Sequence, residues 1–156
     1  MGTLEAEERL AALGIELPDA PTPFGAYVEA VQSGALLFLS GMLPTTGHEA
    51  RWVGRLGREL DVDQARGAAR GAALNALAVA RKHLGTLDRV SRVVRLGVFI
   101  ATDGDVREHP RVADGASELL RDVFGDDKIS SRLVVGVASL PLGVPVELEV
   151  IFEATP

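Results

Sequence analysis

The sequence predicts an α+β fold in which a mixed or antiparallel sheet carries two long helices on one face. Two segments, 61–84 and 109–124, repeat apolar residues at helical spacing. Five other segments are apolar runs or alternations of the kind that form strands. In chain order the predicted elements are helix, strand, strand, helix, strand, helix, strand and strand.

Length and composition indicate one globular domain with a substantial core. The chain has 156 residues, of which 47% are hydrophobic and 24% are charged, and a chain of this size buries enough surface for one core. Its formal net charge is −6, and its basic residues are not concentrated in one stretch. We therefore expect no nucleic-acid partner.

Other classes of function are also excluded by composition. Cysteine is absent, so disulfides, a thiolate nucleophile and cysteine metal ligands are impossible. The three histidines are scattered and predict no metal cluster. The N-terminus lacks the basic-then-apolar pattern of a signal peptide, and no apolar run approaches membrane-spanning length. We expect a cytoplasmic protein with no membrane partner.

Residues 1–22 are predicted to form an extension that precedes a single domain at 23–154. Within it, residues 3–13 predict a short helix that Thr3 caps and Gly14 ends. An extended connector follows, because the chain then carries three prolines, Pro18, Pro21 and Pro23. We expect this extension to serve packing or oligomer contacts rather than chemistry.

Residues 26–32 and 36–40 predict a β-hairpin around a Ser-Gly turn. Tyr27 is expected at the start of its first strand and Ser40 at the end of its second. Each has an ordinary interpretation, the first as a strand aromatic and the second as a hydroxyl bonded to local backbone. Gly41 comes next and permits another part of the protein to approach closely.

The helix at 61–84 is the clearest element of the sequence. Asp61 or Asp63 is predicted to cap its start, and Gly85 is predicted to end it. Its many alanines allow it to lie close to a sheet. The second helix, at 109–124, has an apolar stripe on one side and is expected to share the same face of that sheet.

Three strands complete the predicted sheet. One lies within 88–101, and the other two, at 133–137 and 144–153, flank a Pro-Gly turn and are predicted to pair as a hairpin. The run at 133–137 is almost wholly apolar, as is 36–39, which favours strands covered on both faces. One layer of helices covers only one face, so we expect the protein to form an oligomer.

Arg132 directly precedes the apolar strand at 133–137. A charged side chain at this position is not expected in a hairpin that is buried in a core. A guanidinium is always charged and carries five donors in a rigid fork. In an apolar setting it needs a carboxylate, a phosphate or carbonyls as partners. The ordinary interpretation is a surface arginine, or one paired with a glutamate of this chain. The alternative is a clamp for a small carboxylate ligand.

Four pieces of the sequence, in this order, resemble the RidA/YjgF family of reactive-intermediate imine deaminases. The first three are the segment FGAYVEAV at 24–31, the segment LFLSGMLP at 37–44, and the glycines at 47 and 54. The fourth is a C-terminal stretch that begins with Arg132 and continues with an apolar strand and a Leu-Pro pair. It ends with the segment VELEVI, which contains Glu147. The resemblance covers about residues 23–154. It is strongest to a longer subgroup with an extra N-terminal segment and a Gly-Ala-Ser-Glu-Leu-Leu helix.

The resemblance implies the chorismate-mutase-like fold of this family, a homotrimer, and a ligand pocket between subunits. It implies hydrolysis of small 2-imino acids, of the 2-iminopropanoate and 2-iminobutanoate type, to 2-keto acids and ammonia. Arg132 would grip the carboxylate of the substrate, and Glu147 would hold and polarise the attacking water. The other implied ligand contacts come from four residues, Tyr27, Ser40, Gly41 and Val134. No metal or organic cofactor is implied, since an imine is already electrophilic.

Several residues depart from the family pattern. Leu133 replaces a small residue, Val134 replaces a cysteine found in active members, and Met42 replaces a glutamine. Leu133 is expected to reshape the pocket or to turn into the core. Asp114 stands before Gly-Ala-Ser, where members of the longer subgroup often carry asparagine. These departures motivate an alternative function, a non-catalytic trimer that binds small carboxylates or neighbouring proteins.

RNA cleavage is a third activity sometimes attached to this family. The sequence does not favour it, because the chain is acidic and lacks both paired histidines and a stripe of basic and aromatic residues.

Overall fold

The computed structural model describes residues 4–156, which contain three helices and one main sheet with a small separate hairpin. The elements in chain order are α1 (Ala6–Ala12), β1 (Ala30–Ser33), β2 (Leu36–Leu39), β3 (Thr45–Thr46), β4 (Glu49–Ala50), α2 (Val62–Leu84), β5 (Val90–Ala101), α3 (His109–Phe124), β6 (Ser131–Val137) and β7 (Val146–Ala154). The main sheet has the strand order β1-β2-β7-β5-β6, and β3 pairs with β4 alone. The prediction of an α+β fold with a mixed sheet is confirmed.

The predictions for the two long helices are also confirmed. At the start of α2, Oδ1 of Asp61 accepts a hydrogen bond from the backbone N–H of Gln64 at 2.8 Å, and Gln64 Oε1 accepts one from the Asp61 backbone at 2.9 Å. Gly85 ends the helix at φ 87°, a left-handed conformation that favours glycine. α3 has the predicted bounds.

The N-terminal helix is shorter than the sequence predicts. It begins at Ala6, and the predicted cap Thr3 lies outside the described residues. Glu7 ties the helix to the end of α2, because its carboxylate accepts hydrogen bonds from Arg81 at 2.6 and 3.1 Å and from the Leu87 backbone at 3.0 Å. Leu10 is buried in the core. The extension therefore packs onto its own chain.

The first strand begins later than expected. β1 starts at Ala30, so Tyr27 lies in a bend before the strand and not at its start. In that bend the Tyr27 backbone N–H donates to the carbonyl of Gly25 at 3.0 Å. The backbone is thus turned on itself where a strand would need it extended.

The predicted hairpin of the last two strands is wrong. β6 pairs in parallel with β5, whereas β7 runs antiparallel to both β5 and β2. The connection from β5 to β6 passes through α3, which supplies the crossover that parallel strands require. The stretch 138–145 then carries the chain past β5 to the position of β7. β6 is consequently an edge strand, and its residues are exposed or half-buried within the chain instead of covered on both faces.

The core lies between the sheet and the two long helices. Alternate residues of the central strands are fully buried there, including Leu96 and Ile100 on β5 and Leu148 and Val150 on β7. We call this side of the sheet the helix face and the other side the open face. The open face carries three exposed apolar side chains, Val31, Phe38 and Leu133. Among residues 4–156, no helix combines the length and apolar character needed to cross a membrane.

Candidate functional site

Four of the predicted site residues meet in one depression, which we call the Glu147 pocket. It has a volume of about 540 Å³. The predicted residues in its wall are Tyr27, Ser40, Gly41 and Glu147, and Phe24 and Leu142 contribute apolar surface. They come from the bend before β1, the end of β2, the turn before β7 and the start of β7.

Gly41 and Glu147 lie against each other because the backbone fixes their separation. The neighbouring residues Met42 and Leu148 exchange two backbone hydrogen bonds, of 2.8 and 2.9 Å. This bridge brings Gly41 so close that a Cβ atom there would overlap Oε2 of Glu147 and lie 3.0 Å from its Cδ. A side chain at position 41 would therefore displace the Glu147 carboxylate from its observed position, whereas the φ of Gly41 does not itself demand glycine.

Glu147 has electrostatics suited to proton transfer. Its side chain is half-buried, and burial raises its pKa above the usual range of a glutamate. Within the described residues no lysine, arginine or histidine forms an ion pair with it. A carboxyl group with a raised pKa in a pocket is a common feature of general acids and bases.

Tyr27 and Ser40 form local hydrogen bonds at the rim of the pocket. The Tyr27 hydroxyl accepts from the backbone N–H of Phe24 at 2.9 Å, and its side chain remains exposed. The Ser40 hydroxyl donates to the carbonyl of Val28 at 2.6 Å. The ordinary interpretation of Ser40 thus holds within one chain. The phenol retains its own proton for donation to a ligand.

Arg132 lies in a second, separate depression, which we call the Arg132 hollow. The hollow has a volume of about 330 Å³ and lies between α3 and the start of β6; its walls include Asp114, Ser117, Leu120, Arg121, Ile129 and Arg132. Nη1 of Arg132 donates to Oδ1 of Asp114 at 2.7 Å and to Oγ of Ser117 at 3.1 Å. Arg132 is therefore paired within its own chain, with an aspartate and not with the glutamate that the sequence suggested.

The two depressions open on opposite faces of the sheet. Arg132 is in register with Leu96 of β5, a core residue, so its side chain lies on the helix face. Glu147 is in register with Phe99 of β5 and alternates with the core residues of β7, so it lies on the open face. One chain alone does not bring these two side chains together.

The remaining predicted contacts and departures lie outside both depressions. Val134 is on the same face as Arg132 and packs against the core. Leu133 lies on the open face and is exposed, so of the two outcomes expected for it the turn into the core is wrong. Met42 is buried, with its backbone in the bridge to Leu148. The replacement of a polar residue by Met42 is therefore accommodated by the core.

Sequence reasoning missed several residues that line these depressions. Ser117 is one helical turn after Asp114, a spacing that places both on one side of α3 and could have been found. Leu142 could not, because its position depends on a left-handed backbone, with φ 59°, in the turn that sets the rim of the Glu147 pocket. Such a conformation is unusual for leucine.

The described residues provide no obvious metal site. Within residues 4–156, no three histidine, aspartate or glutamate side chains are grouped so that they could hold an ion. Glu147 has no basic partner in the described chain, and the two acidic residues that line the hollow, Asp114 and Glu118, are each paired with an arginine. The chemistry these residues offer is therefore that of a carboxyl group, a guanidinium and hydroxyls.

The chain belongs to the family that this geometry and sequence pattern indicate. Residues 7–153 match the family described as "YjgF/chorismate_mutase-like, putative endoribonuclease". Protein TCP17 of Trypanosoma cruzi is 42% identical over 145 residues, which cover 92% of this chain and 91% of that protein. A 2-iminobutanoate/2-iminopropanoate deaminase of Dermatophagoides farinae is 32% identical, over 86% of this chain and 91% of the relative. The predicted membership of the RidA/YjgF family is confirmed.

Solved structures confirm the chorismate-mutase-like fold of the family. The protein Atu1372 of Agrobacterium tumefaciens, whose function is described as unknown, has a TM-score of 0.88 and 38% identity, covering 96% of this chain and 92% of that one. TdcF of E. coli, solved with bound serine, has a TM-score of 0.62 and 26% identity, covering 90% of this chain and 98% of that one.

Proposed function

We propose that this protein hydrolyses small 2-imino acids to 2-keto acids and ammonia, at sites shared between the subunits of a homotrimer. The observation that carries the proposal is the Glu147 pocket, in which a carboxyl group of raised pKa lies beside Gly41, Ser40 and Tyr27. A relative that is 32% identical bears the name of a deaminase for such substrates. The serine bound to TdcF shows that one family member binds a molecule of this size and chemistry.

Each residue has a role that its chemistry permits. Glu147 takes a proton from a water molecule as the oxygen attacks the carbon of the C=N bond, and returns it to the nitrogen. The resulting carbinolamine loses ammonia, and its carbon becomes the carbonyl of the 2-keto acid. Arg132 holds the substrate carboxylate throughout, which fixes the carbon at the water. Tyr27 and Ser40 orient the ligand by hydrogen bonds.

The sheet geometry is the reason for proposing a site between subunits. Arg132 and Glu147 lie on opposite faces within one chain, so a second copy must supply one of them. The exposed apolar residues of the open face give that copy a surface to cover. A trimer is the assembly implied by the family resemblance, and light scattering of the purified protein tests it. A monomeric mass at working concentration would contradict the shared site.

A non-catalytic carboxylate-binding trimer is the second candidate. The specific observation in its favour is the pairing of Arg132 with Asp114 and Ser117, which occupies part of the guanidinium before any ligand arrives. This function predicts binding of small carboxylates without turnover of imines.

The deciding experiment is a turnover assay on freshly generated 2-iminobutanoate, which compares the wild type with Arg132→Ala. We expect the substitution to lower kcat/KM by about 100-fold, because it removes a charge-assisted pair to the substrate. Arg111→Ala is the matched control: it removes an exposed arginine of α3 that pairs only with Glu108 within the described chain. Arg132→Ala at full activity would overturn the role of the clamp, and an inactive wild type that still binds carboxylates would favour the second candidate.

A further inference from the structure

Asp114 places a negative charge where Arg132 is to receive the carboxylate of a ligand. Their side chains are joined at 2.7 Å, and both face the Arg132 hollow. A carboxylate bound to Arg132 would therefore lie next to a second carboxylate. Like charges at such a distance repel each other unless a positive group lies between them. The use of Arg132 as the ligand clamp rests on the proposed function.

The pair keeps unused hydrogen-bonding capacity on both partners. Within residues 4–156, only Nη1 of Arg132 donates, so Nε and Nη2 remain for a ligand. Only Oδ1 of Asp114 accepts, so its Oδ2 is also available. The side chain of Arg132 is 27% exposed and that of Asp114 is 42% exposed, so a ligand in the hollow can reach both. The hollow thus offers a donor edge and an acceptor oxygen side by side.

The ligand that matches both groups carries a carboxylate and a positively charged nitrogen on the adjacent carbon. We propose that Asp114 makes the Arg132 hollow selective for small 2-amino and protonated 2-imino acids over 2-keto and 2-hydroxy acids of equal size. The nitrogen would donate to Oδ2 of Asp114 while the carboxylate binds the Nε and Nη2 edge of Arg132. A 2-keto acid has no such nitrogen, so Asp114 repels it. The same residue therefore retains the substrate and favours release of the product.

Calorimetric titration with two stable probes of the same shape tests this selectivity. L-2-aminobutanoate carries the positive nitrogen, and (S)-2-hydroxybutanoate has a neutral hydroxyl in its place. We expect the wild type to bind the amino acid about tenfold tighter, as one charge-assisted hydrogen bond implies. In Asp114→Asn the preference should fall to about one, with tighter binding of the hydroxy acid. Glu108→Gln, which removes an equal charge at the start of α3 outside the hollow, should keep the tenfold preference.

Several outcomes would overturn the inference. A wild type that binds both probes equally, prefers the hydroxy acid or binds neither contradicts it without any variant. Asp114→Asn could instead change the affinities for the amino acid and the hydroxy acid by the same factor. In that case Asp114 would only compete with ligands for Arg132 and would not select between them. Imine hydrolysis is measured separately. A protein that hydrolyses imines but shows no preference for the amino acid refutes only this inference. A protein that shows the preference but does not hydrolyse imines refutes only the proposed function.

Discussion

The Glu147 pocket and the Arg132 hollow are assembled in different ways. Backbone fixes the first: two hydrogen bonds between Met42 and Leu148 press Gly41 against the carboxyl group. Side chains fix the second, through the ion pair of Arg132 with Asp114. Backbone bridges resist change, whereas half-exposed ion pairs contribute little stability and exchange partners readily. The pocket is therefore suited to fixed chemistry and the hollow to reversible binding.

The two depressions also differ in electrostatics. Burial raises the pKa of Glu147, which has no cationic partner in the described chain. Arg132, in contrast, already has a carboxylate beside it. One depression thus supplies a group that exchanges a proton, and the other supplies a group that binds charge. Each depression holds only part of the site that the proposed function needs, which is why that function requires two subunits.

Mixing two inactive variants tests this division most sharply. Arg132→Ala retains the Glu147 pocket, and Glu147→Gln retains the Arg132 hollow. When the two chains are co-expressed in equal amounts, a shared site forms wherever an intact pocket meets an intact hollow. We expect about one quarter of the wild-type activity from the mixture, since random assembly gives that fraction of interfaces. Each parent alone should have about 1% or less. Activity is measured as 2-keto acid released per total chain.

A control mixture calibrates this result. Arg111→Ala chains carry both functional residues, so their mixture with Glu147→Gln should retain about one half of the activity by the same statistics. If the site lay within one chain, the first mixture would be as inactive as its parents while the control still reached one half. That outcome would contradict the division of the site between the two depressions.

Gly41→Ala breaks the fixed pocket without touching the hollow. The added Cβ would overlap Oε2 of Glu147 and displace the carboxyl group. Misplacement of a catalytic group by about 1 Å lowers the rate by about 100-fold, so we expect a loss of that size in kcat. The free energy of unfolding should fall by less than about 1 kcal/mol, because the end of a glutamate side chain can rotate away. Steady-state kinetics and denaturant unfolding measure the two effects.

Gly25→Ala is the matched control for this substitution. A Cβ at Gly25 would lie 3.9 Å from the nearest ring atom of Tyr27, an ordinary contact, in the bend near the same pocket. It should leave both kcat and stability close to wild type. Full activity in Gly41→Ala would mean that the position of the Glu147 carboxyl group is not important for the reaction.

Local patterns in the sequence were sufficient for most elements of the fold but not for their pairing. The bounds of α3, the cap at Asp61 and the end of α2 at Gly85 all follow from residues close together in the chain. The placement of β7 beside β5 depends on contacts across the sheet. The same apolar alternation and the same Pro-Gly turn fit two arrangements. In one, β6 and β7 pair directly as a hairpin; in the other, β5 lies between them. The sequence pattern therefore predicts a hairpin that the structure does not contain.

The candidate site divides in the same way. Family motifs marked Tyr27, Ser40, Gly41 and Glu147, and the structure places these four together. Arg132 was marked as well, but the face on which its side chain lies follows from its parallel register with β5, which the sequence does not specify. The sequence leaves open whether Arg132 lies at the surface, pairs with a glutamate or binds a ligand, and only the packing of α3 on β6 reveals Asp114 as its partner.

The smallest expected effect is the change in stability that Glu147→Gln causes, and it separates the electrostatics of the two depressions. Burial raises the pKa of Glu147 in the folded chain, so the native state binds its proton more tightly than the unfolded state does. Wild-type stability should therefore fall as the pH rises from about 4.3, the pKa of an unfolded glutamate, through the higher native pKa. The amide lacks this penalty. We expect the variant to match the wild type near pH 4 and to be more stable near pH 7, by about 0.5 kcal/mol for a half-buried group.

Glu7→Gln gives the opposite sign and completes this test. The hydrogen bonds from Arg81 lower the pKa of Glu7, so its carboxylate stabilises the folded state at neutral pH and loses that effect as the pH falls through its native pKa. Removal of this carboxylate should destabilise the protein at pH 7, by about 0.5–1 kcal/mol, and much less in acid. Denaturant unfolding of both variants from pH 4 to pH 8 measures the two curves. If both had the same sign, a cation of a neighbouring subunit would hold the Glu147 carboxylate ionised in the assembled protein, and burial would not set its pKa there.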